Sequence, residues 1–119
     1  NTNTVRQSRA DATNLLTTFC GLSEEPIRLE ASQTISVNTG AAQGNIGFGI
    51  NVTNAFTGKR GNTGVSGGGA VSSDADARHT LLPGIGINNI NFCETGNGTA
   101  NSVFSGTNAS MIMMAAWRG

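Results

Sequence analysis

The amino-acid sequence predicts an all-β domain, an antiparallel β-sandwich of Ig-like, jelly-roll-like or Greek-key type, preceded by a polar N-terminal arm or short helix. Two segments alternate apolar and polar side chains, residues 27–37 and residues 45–53. That period of two is typical of half-buried strands. Lys59 is the only lysine, so the usual helix formers are scarce, and the 17 glycines indicate many turns. A chain of 119 residues has room for one core.

The first 18 residues differ from the rest of the chain, and we assign them to an arm, with residues 19–119 as the single β domain. Val5, Ala12, Leu15, Leu16 and Phe19 loosely fit one face of a helix, with an extended arm as the alternative. Because the segment starts with polar residues, we expect it to add little to the core and either to fray or to contact a neighbouring subunit.

The second predicted strand, residues 45–53, places Ile46 and Phe48 on one face and Gly47 and Gly49 on the other. Glycine weakens a strand unless something approaches the backbone closely. The candidates are another sheet, the backbone of a partner, or an open solvent face. Residues 38–44, between the two strands, are predicted to form a turn.

The middle of the chain is punctuated by glycine. Residues 56–70 are predicted to form a loop, or a hairpin with a long mobile tip, with Lys59-Arg60 at the tip. Gly67–Gly69 lacks the residues of a phosphate loop. A polar stretch, residues 71–79, leads to a strand over 84–93. The apolar side chains of this strand change from one face to the other at Asn88-Asn89, which predicts a β-bulge. Asn97-Gly98 predicts a hairpin turn.

The last predicted strand, residues 108–117, is apolar on both faces, which predicts a central or doubly covered strand with Trp117 in the core. The pattern G-[FI]-G-I-N-x-x-N occurs at residues 47–54 and again at 84–91. Two equivalent strands in two sheets, a duplicated hairpin, or chance in a chain rich in Gly and Asn would each explain the repeat.

Cys20 and Cys93 are predicted to form a disulfide, with two buried free thiols as the alternative. The bridge would close a loop of roughly 70 residues and contribute about 4 kcal/mol. Low charge and abundant Asn, Thr and Ser suit a secreted or cell-surface protein. Since the chain begins at Asn1, we expect that a leader has been removed.

Asp74, Asp76 and His79 form a candidate ligand or metal loop. Calcium requires more oxygen ligands than this segment offers, so a solvated loop is favoured and neither a metal nor a cofactor is predicted. His79 is the only histidine, and no nucleophile elbow or pair of carboxylates beside aromatic residues accompanies it. We therefore predict that the protein is not an enzyme.

Several partners are disfavoured by composition. The seven Lys and Arg residues are scattered, so nucleic-acid binding lacks its basic surface. No apolar run approaches the ~20 residues that span a bilayer. The three N-x-[ST] sequons, at Asn51, Asn97 and Asn108, are as many as the composition alone produces, so they do not predict glycosylation.

These features favour an extracellular structural or adhesive subunit that self-assembles, as a homo-oligomer or a pilin-like filament, by strand exchange through the N-terminal arm. The overall character resembles fimbrial subunits at the level of fold class. Candidate interface residues are Val5, Leu15, Leu16, Gly47, Gly49 and Trp117. The alternatives are a secreted carbohydrate-binding module for a cell-surface glycan and a small secreted toxin or effector.

Overall fold

Strands dominate the computed structural model, which describes residues 3–21, 25–37, 42–57, 61–64, 70–98, 102–107 and 110–117. The strands are β1 (Arg6–Gln7), β2 (Leu15–Cys20), β3 (Ile27–Val37), β4 (Gln43–Ile50), β5 (Gly61–Gly64), β6 (Val71–Leu81), β7 (Gly86–Gly96), β8 (Ser102–Phe104) and β9 (Met111–Ala116). A short 3-10 turn, Ser8–Ala10, lies between β1 and β2.

The strands form two sheets, and every described ladder is antiparallel. In sheet A, β7 is central, with β4 and then β5 on one side and β1 and β2 in succession on the other. In sheet B, β3 is central, with β6 along one side and β8 and β9 in succession along the other. The predicted all-β sandwich is confirmed, whereas the Greek-key type stays a prediction.

The core fills the space between the sheets, and alternation along each strand selects its members. The buried core residues are Ile27, Leu29, Ala31, Ile35, Val37, Ala42, Ile46, Phe48, Ala75, Ala77, Ile90 and Phe92. Burying each of the larger side chains stabilises the fold by about 1.5–3 kcal/mol. This shared core fixes which face of each sheet is left outside.

The N-terminal segment pairs with the chain's own sheet A. β1 and β2 both pair with β7, and residues 8–14 between them lie opposite the single residue Phe92. The carbonyl of Asn14 accepts a hydrogen bond from the Phe92 amide at 2.9 Å. Leu15 and Leu16 are therefore extended, so the helical alternative is wrong for this part of the segment.

The sequence does not predict β6, because residues 71–79 show only a polar stretch. Its inner face carries Ala75 and Ala77, which are buried, while its outer face carries Asp74, Asp76 and Arg78. Because Ala75 and Ala77 are small, the apolar–polar alternation along β6 is difficult to recognise in the sequence. β5 lies within residues 56–70 and pairs antiparallel with β4, so the hairpin alternative, and not a loop alone, describes this segment. Lys59-Arg60 and Gly67–Gly69 lie outside the described residues.

β9 is an edge strand, so the prediction of a central strand is wrong. Met111 and Met113 pack against the core, while Ile112 and Met114 on the other face are each 50% exposed. Trp117 follows the strand and is 52% exposed, so its predicted core position is also wrong. An apolar composition on both faces does not require cover on both faces when the strand closes a sheet.

Two turn-level predictions are corrected. Asn97-Gly98 does turn, with φ of +76° at Gly98, but β7 belongs to sheet A and β8 to sheet B, so no hairpin joins them. β2 pairs with β7 in unbroken register past Asn88-Asn89, so the predicted bulge is absent there. The apparent change of phase arises because Ile87 faces outward, 68% exposed.

Candidate functional site

The outer face of sheet A carries an exposed apolar pair at its edge, which we call the β2 patch. Phe19 of β2 lies directly opposite Ile87 of β7, and the two side chains are 77% and 68% exposed. Leu82 and Ile85, in the connection that leads into β7, are 64% and 75% exposed. Large apolar side chains clustered at a sheet edge are typical of an interaction surface.

The outer face of sheet B carries a second apolar row, the β9 patch, formed by Ile112, Met114 and Ala116. These residues lie opposite the polar side chains of β3, with Met114 beside Glu30. Trp117 follows Ala116 directly after the end of the strand and is also exposed. The two patches therefore lie on two different sheets and two different edge strands.

Both edges lie along the same side of the sandwich. The Ser8 hydroxyl, after β1, lies 3.6 Å from the Met111 sulfur of β9. Arg9 Nη1 donates to the Gly106 carbonyl, before β9, at 3.3 Å. In the part of the chain that the structure describes, β2 pairs only with β7 and β9 only with β3. Their outer backbone edges can therefore accept a further strand.

A buried polar cluster holds the N-terminal segment against both sheets. Glu94 is fully buried and accepts from Arg6 Nε at 3.0 Å and Nη2 at 2.8 Å, both at Oε1. Ser8 Oγ donates to Glu94 Oε2 at 3.1 Å and accepts from Gln33 Nε2 at 3.1 Å. Gln33 Nε2 also donates to the Ser105 carbonyl at 2.9 Å. These contacts satisfy the buried groups, as stability requires.

The glycine face of β4 is covered by the chain itself. A Cβ added to Gly49 would lie 2.2 Å from the Val52 carbonyl oxygen and 2.9 Å from that of Ala55. Residues 51–57 thus fold back over the outer face of sheet A. Gly47 and Gly49 are both buried. The backbone that approaches Gly49 is the chain's own, which is none of the three neighbours predicted for this face, namely another sheet, a partner's backbone or solvent.

Asparagine amides fasten this fold-back. Asn91 Nδ2 donates to the carbonyls of Gly49 and Val52 at 3.1 and 3.0 Å. Asn51, with φ of +58°, accepts at Oδ1 from the Asn89 amide at 2.8 Å. The two copies of the repeat, residues 47–54 and 84–91, contact each other here. The first copy continues past the end of β4 and the second leads into the start of β7, so they do not occupy equivalent positions. Asn51 is engaged, and the Asn108 sequon lies outside the described residues.

The predicted disulfide is wrong, since Cys20 and Cys93 are both free thiols. Cys20 lies opposite Gly86 of β7, seven residues from Cys93 on the same strand. At about 3.3 Å per residue the two positions are separated by about 23 Å, whereas a disulfide spans about 4–7 Å between Cα atoms. An odd separation along β7 also puts the two thiols on opposite faces of sheet A.

The Cys93 thiol is buried beneath residues 51–57, with its sulfur 3.9 Å from the Thr53 carbonyl oxygen. Burial raises the pKa of this thiol from 9.0 to about 11, the Glu94 carboxylate adds to the rise, and a hydrogen bond with the Gly49 backbone opposes it. A thiol held protonated in this way is a weak nucleophile at neutral pH.

The candidate ligand loop is a strand, which corrects that prediction. Asp74 and Asp76 point outward from β6, whereas His79 lies on the alternate face, half-buried. Asp74 Oδ1 accepts from Thr34 Oγ1 at 2.6 Å. Because alternation separates the imidazole from the two carboxylates, the three cannot converge on one ion. In the described ranges no three His, Cys, Asp or Glu side chains are grouped to hold a metal.

The predicted interface residues separate into two groups. Trp117 is exposed, while Val5, Leu15 and Leu16 are half-buried, with Leu16 packed on the core. Phe19, Ile87, Ile112 and Met114 were not predicted to be interface residues. Residues 15–20 read Leu-Leu-Thr-Thr-Phe-Cys without apolar–polar alternation, so only the pairing with β7 reveals that Phe19 faces outward.

The comparisons with known proteins found no match among protein-family models, curated proteins or solved structures. Within the described residues, no helix is long and apolar enough to cross a membrane.

Proposed function

We propose that this protein is a structural or adhesive subunit that self-assembles outside the cell, with the β2 patch of one copy docking on the β9 patch of the next. One observation carries the proposal: the exposed pair Phe19 and Ile87 lies at an edge of sheet A that pairs with no further strand among the described residues. Exposed edges with apolar side chains favour association with another strand. The occupant that fits is a second copy, because the chain presents the complementary edge itself.

The two patches differ in sequence and lie on different sheets, which favours a head-to-tail contact. A head-to-tail contact that does not close into a ring produces an open filament. The formal net charge of zero removes the repulsion that would oppose stacking copies. Filament growth therefore requires no second component.

Exchange of the N-terminal arm, the route predicted from the sequence, is the costlier one. Withdrawing β1 would remove Arg6 and Ser8 from the buried Glu94 carboxylate. Leaving a buried charge without partners costs several kcal/mol until a neighbour's segment replaces them. Docking of free edges needs no such opening, so we favour it over exchange.

Location outside the cell is part of the proposal and is supported by the neutral, weakly charged composition. The free thiols give it no support, because oxidised pairs rather than free cysteines are the usual mark of exported domains. Of the two alternatives, a carbohydrate-binding module is favoured by one observation, the pocket beside Trp117. A toxin or effector has no specific observation in its favour.

The proposal is tested by electron microscopy and analytical ultracentrifugation of the wild-type protein and of Phe19→Lys. We expect filaments or concentration-dependent oligomers from the wild type and monomers from Phe19→Lys, with the same thermal unfolding midpoint. Val71→Lys is the matched control, because Val71 is 43% exposed on β6, away from both patches. A wild-type protein that stays monomeric up to millimolar concentration would overturn the proposal.

A further inference from the structure

A surface pocket of about 510 Å³ lies where β3 begins and β9 ends. Among the described residues it is lined by Glu25, Pro26, Arg28, Ala116 and Trp117. Arg28 and Ala116 are direct neighbours across the β3–β9 ladder. The rigid ladder therefore fixes the spacing between the arginine and the strand that carries the tryptophan.

Arg28 differs from the other arginines of the described ranges. Arg6 bonds to Glu94, Arg9 to the Gly106 carbonyl, and Arg78 lies 3.7 Å from Glu30. Within the same ranges no hydrogen bond or ion pair engages the Arg28 guanidinium. Its donors are thus free for a ligand, and a guanidinium binds a carboxylate in bidentate fashion.

Trp117 supplies the second part of a binding site. Its side chain is 52% exposed, so part of the indole surface is available to solvent. An aromatic face packs on the apolar C–H face of a sugar ring, and its polar edge tolerates water nearby. Glu25, also at the pocket, offers carboxylate oxygens that accept hydrogen bonds from hydroxyl groups.

We propose that this pocket binds an acidic sugar, a hexuronate residue whose ring packs on Trp117 and whose carboxylate pairs with Arg28. The indole packs on the sugar ring, the guanidinium pairs with the carboxylate of the sugar, and Glu25 accepts hydrogen bonds from the hydroxyl groups of the sugar. The site adjoins the β9 patch at Ala116 but does not require self-assembly, because Glu25, Arg28 and Trp117 supply its contacts with the sugar. A single ring in an open pocket binds with a dissociation constant of about a millimolar.

Trp117 is the only tryptophan and the chain has no tyrosine, so intrinsic fluorescence reports on this pocket alone. The experiment titrates methyl β-D-glucuronide into the Phe19→Lys variant, which keeps the measurement separate from assembly. We expect a saturable change in the Trp117 emission. Methyl β-D-glucoside should bind more weakly than the glucuronide by about tenfold or more. Arg28→Gln should weaken binding of the glucuronide by about tenfold or more.

Arg78→Gln is the matched control, because Arg78 is exposed on the same sheet face but does not line the pocket. It should bind the glucuronide like the parent variant. The proposal is overturned if the glucuronide gives no saturable change, if the glucoside binds equally well, or if sodium acetate alone reproduces the response. Unchanged binding by a folded Arg28→Gln protein, checked by its thermal midpoint, would also overturn it.

Discussion

Arg6 and Glu94 form an ion pair in which the two partners differ sharply in exposure: the Arg6 side chain is 55% exposed and the Glu94 side chain is fully buried. The guanidinium reaches the carboxylate from the rim of the sandwich, and Ser8 binds its other oxygen from within. The pair therefore joins the first strand to the central strand of sheet A. A buried charge with one partner at the surface depends strongly on that partner.

Replacing Arg6 by Met should lower the free energy of unfolding by about 2–3 kcal/mol, because it leaves the Glu94 carboxylate buried with less compensation. Adding Glu94→Gln to the same chain should recover part of this loss, since no charge is then left unpaired. Urea unfolding of both variants measures the coupling.

The exposed pair Arg78 and Glu30, 3.7 Å apart, is the control for that experiment. Arg78→Met should change the free energy of unfolding by no more than about 0.5 kcal/mol, because solvent-exposed ion pairs contribute little to stability. Equal losses from Arg6→Met and Arg78→Met would show that the buried carboxylate does not depend on Arg6.

Gly49→Ala should destabilise the protein by about 3 kcal/mol, because the added Cβ meets backbone carbonyls rather than a flexible side chain. Residues 51–57 would have to lift from sheet A. Gly84→Ala is the control, since its Cβ would lie 3.6 Å from the nearest heavy atom, Asn88 Oδ1. That change should stay within about 0.5 kcal/mol. Equal urea midpoints for the two variants would contradict the fold-back.

The two thiols should differ in reactivity. Cys20 is half-exposed at the end of β2, whereas Cys93 is fully buried. Native protein at pH 8 should therefore release one equivalent of thionitrobenzoate quickly from Ellman's reagent and the second only on unfolding. Cys20→Ala should abolish the fast equivalent. The intact mass measured after mild denaturation without reductant should correspond to two free thiols. A mass lower by two hydrogens would show instead that Cys20 and Cys93 form the disulfide.

Alkaline pH should destabilise the protein through Cys93. Burial raises the pKa of its thiol to about 11 in the folded state, while the unfolded chain loses the same proton near 9.0. The stabilisation is full below pH 9 and declines between pH 9 and 11, by up to about 1.4 kcal/mol per pH unit. In urea unfolding at pH 8 to 10.5, Cys93→Ala should show a shallower decline, and Cys20→Ala the wild-type one.

Strands β3 and β4 were predictable because large apolar residues alternate with polar ones along β3 and with glycines along much of β4. β6 was not, since Ala75 and Ala77 are too small to mark an inner face against its Ser, Asp and Arg residues. For the same reason its aspartates were interpreted as a loop. Alternation reports burial only when the buried side chains are large.

The apolar edges were harder to predict than the core. β9 is apolar on both faces, and composition cannot distinguish a strand covered on both faces from an edge strand that offers one face to a partner. Cys20 and Cys93 were paired because the sequence contains no other cysteine. Only the register on β7 reveals that the two thiols are far apart. Long-range pairing is the information that local patterns lack.

The head-to-tail contact makes a prediction that a symmetric contact does not. Phe19→Lys removes the β2 patch and keeps the β9 patch, while Met114→Lys does the reverse. Each variant alone should be monomeric. An equimolar mixture should form dimers and stop there, because each dimer joins the two intact patches and presents the two altered ones.

Sedimentation velocity on the two variants and their mixture measures this outcome. A symmetric β2-to-β2 contact would instead leave Phe19→Lys monomeric, let Met114→Lys dimerise alone, and give nothing new on mixing. Val71→Lys mixed with either variant supplies a chain with both patches intact, which should elongate while that variant caps only one of the two ends. Dimers in the mixture alone would therefore assign the contact to Phe19 of one copy and Met114 of the next.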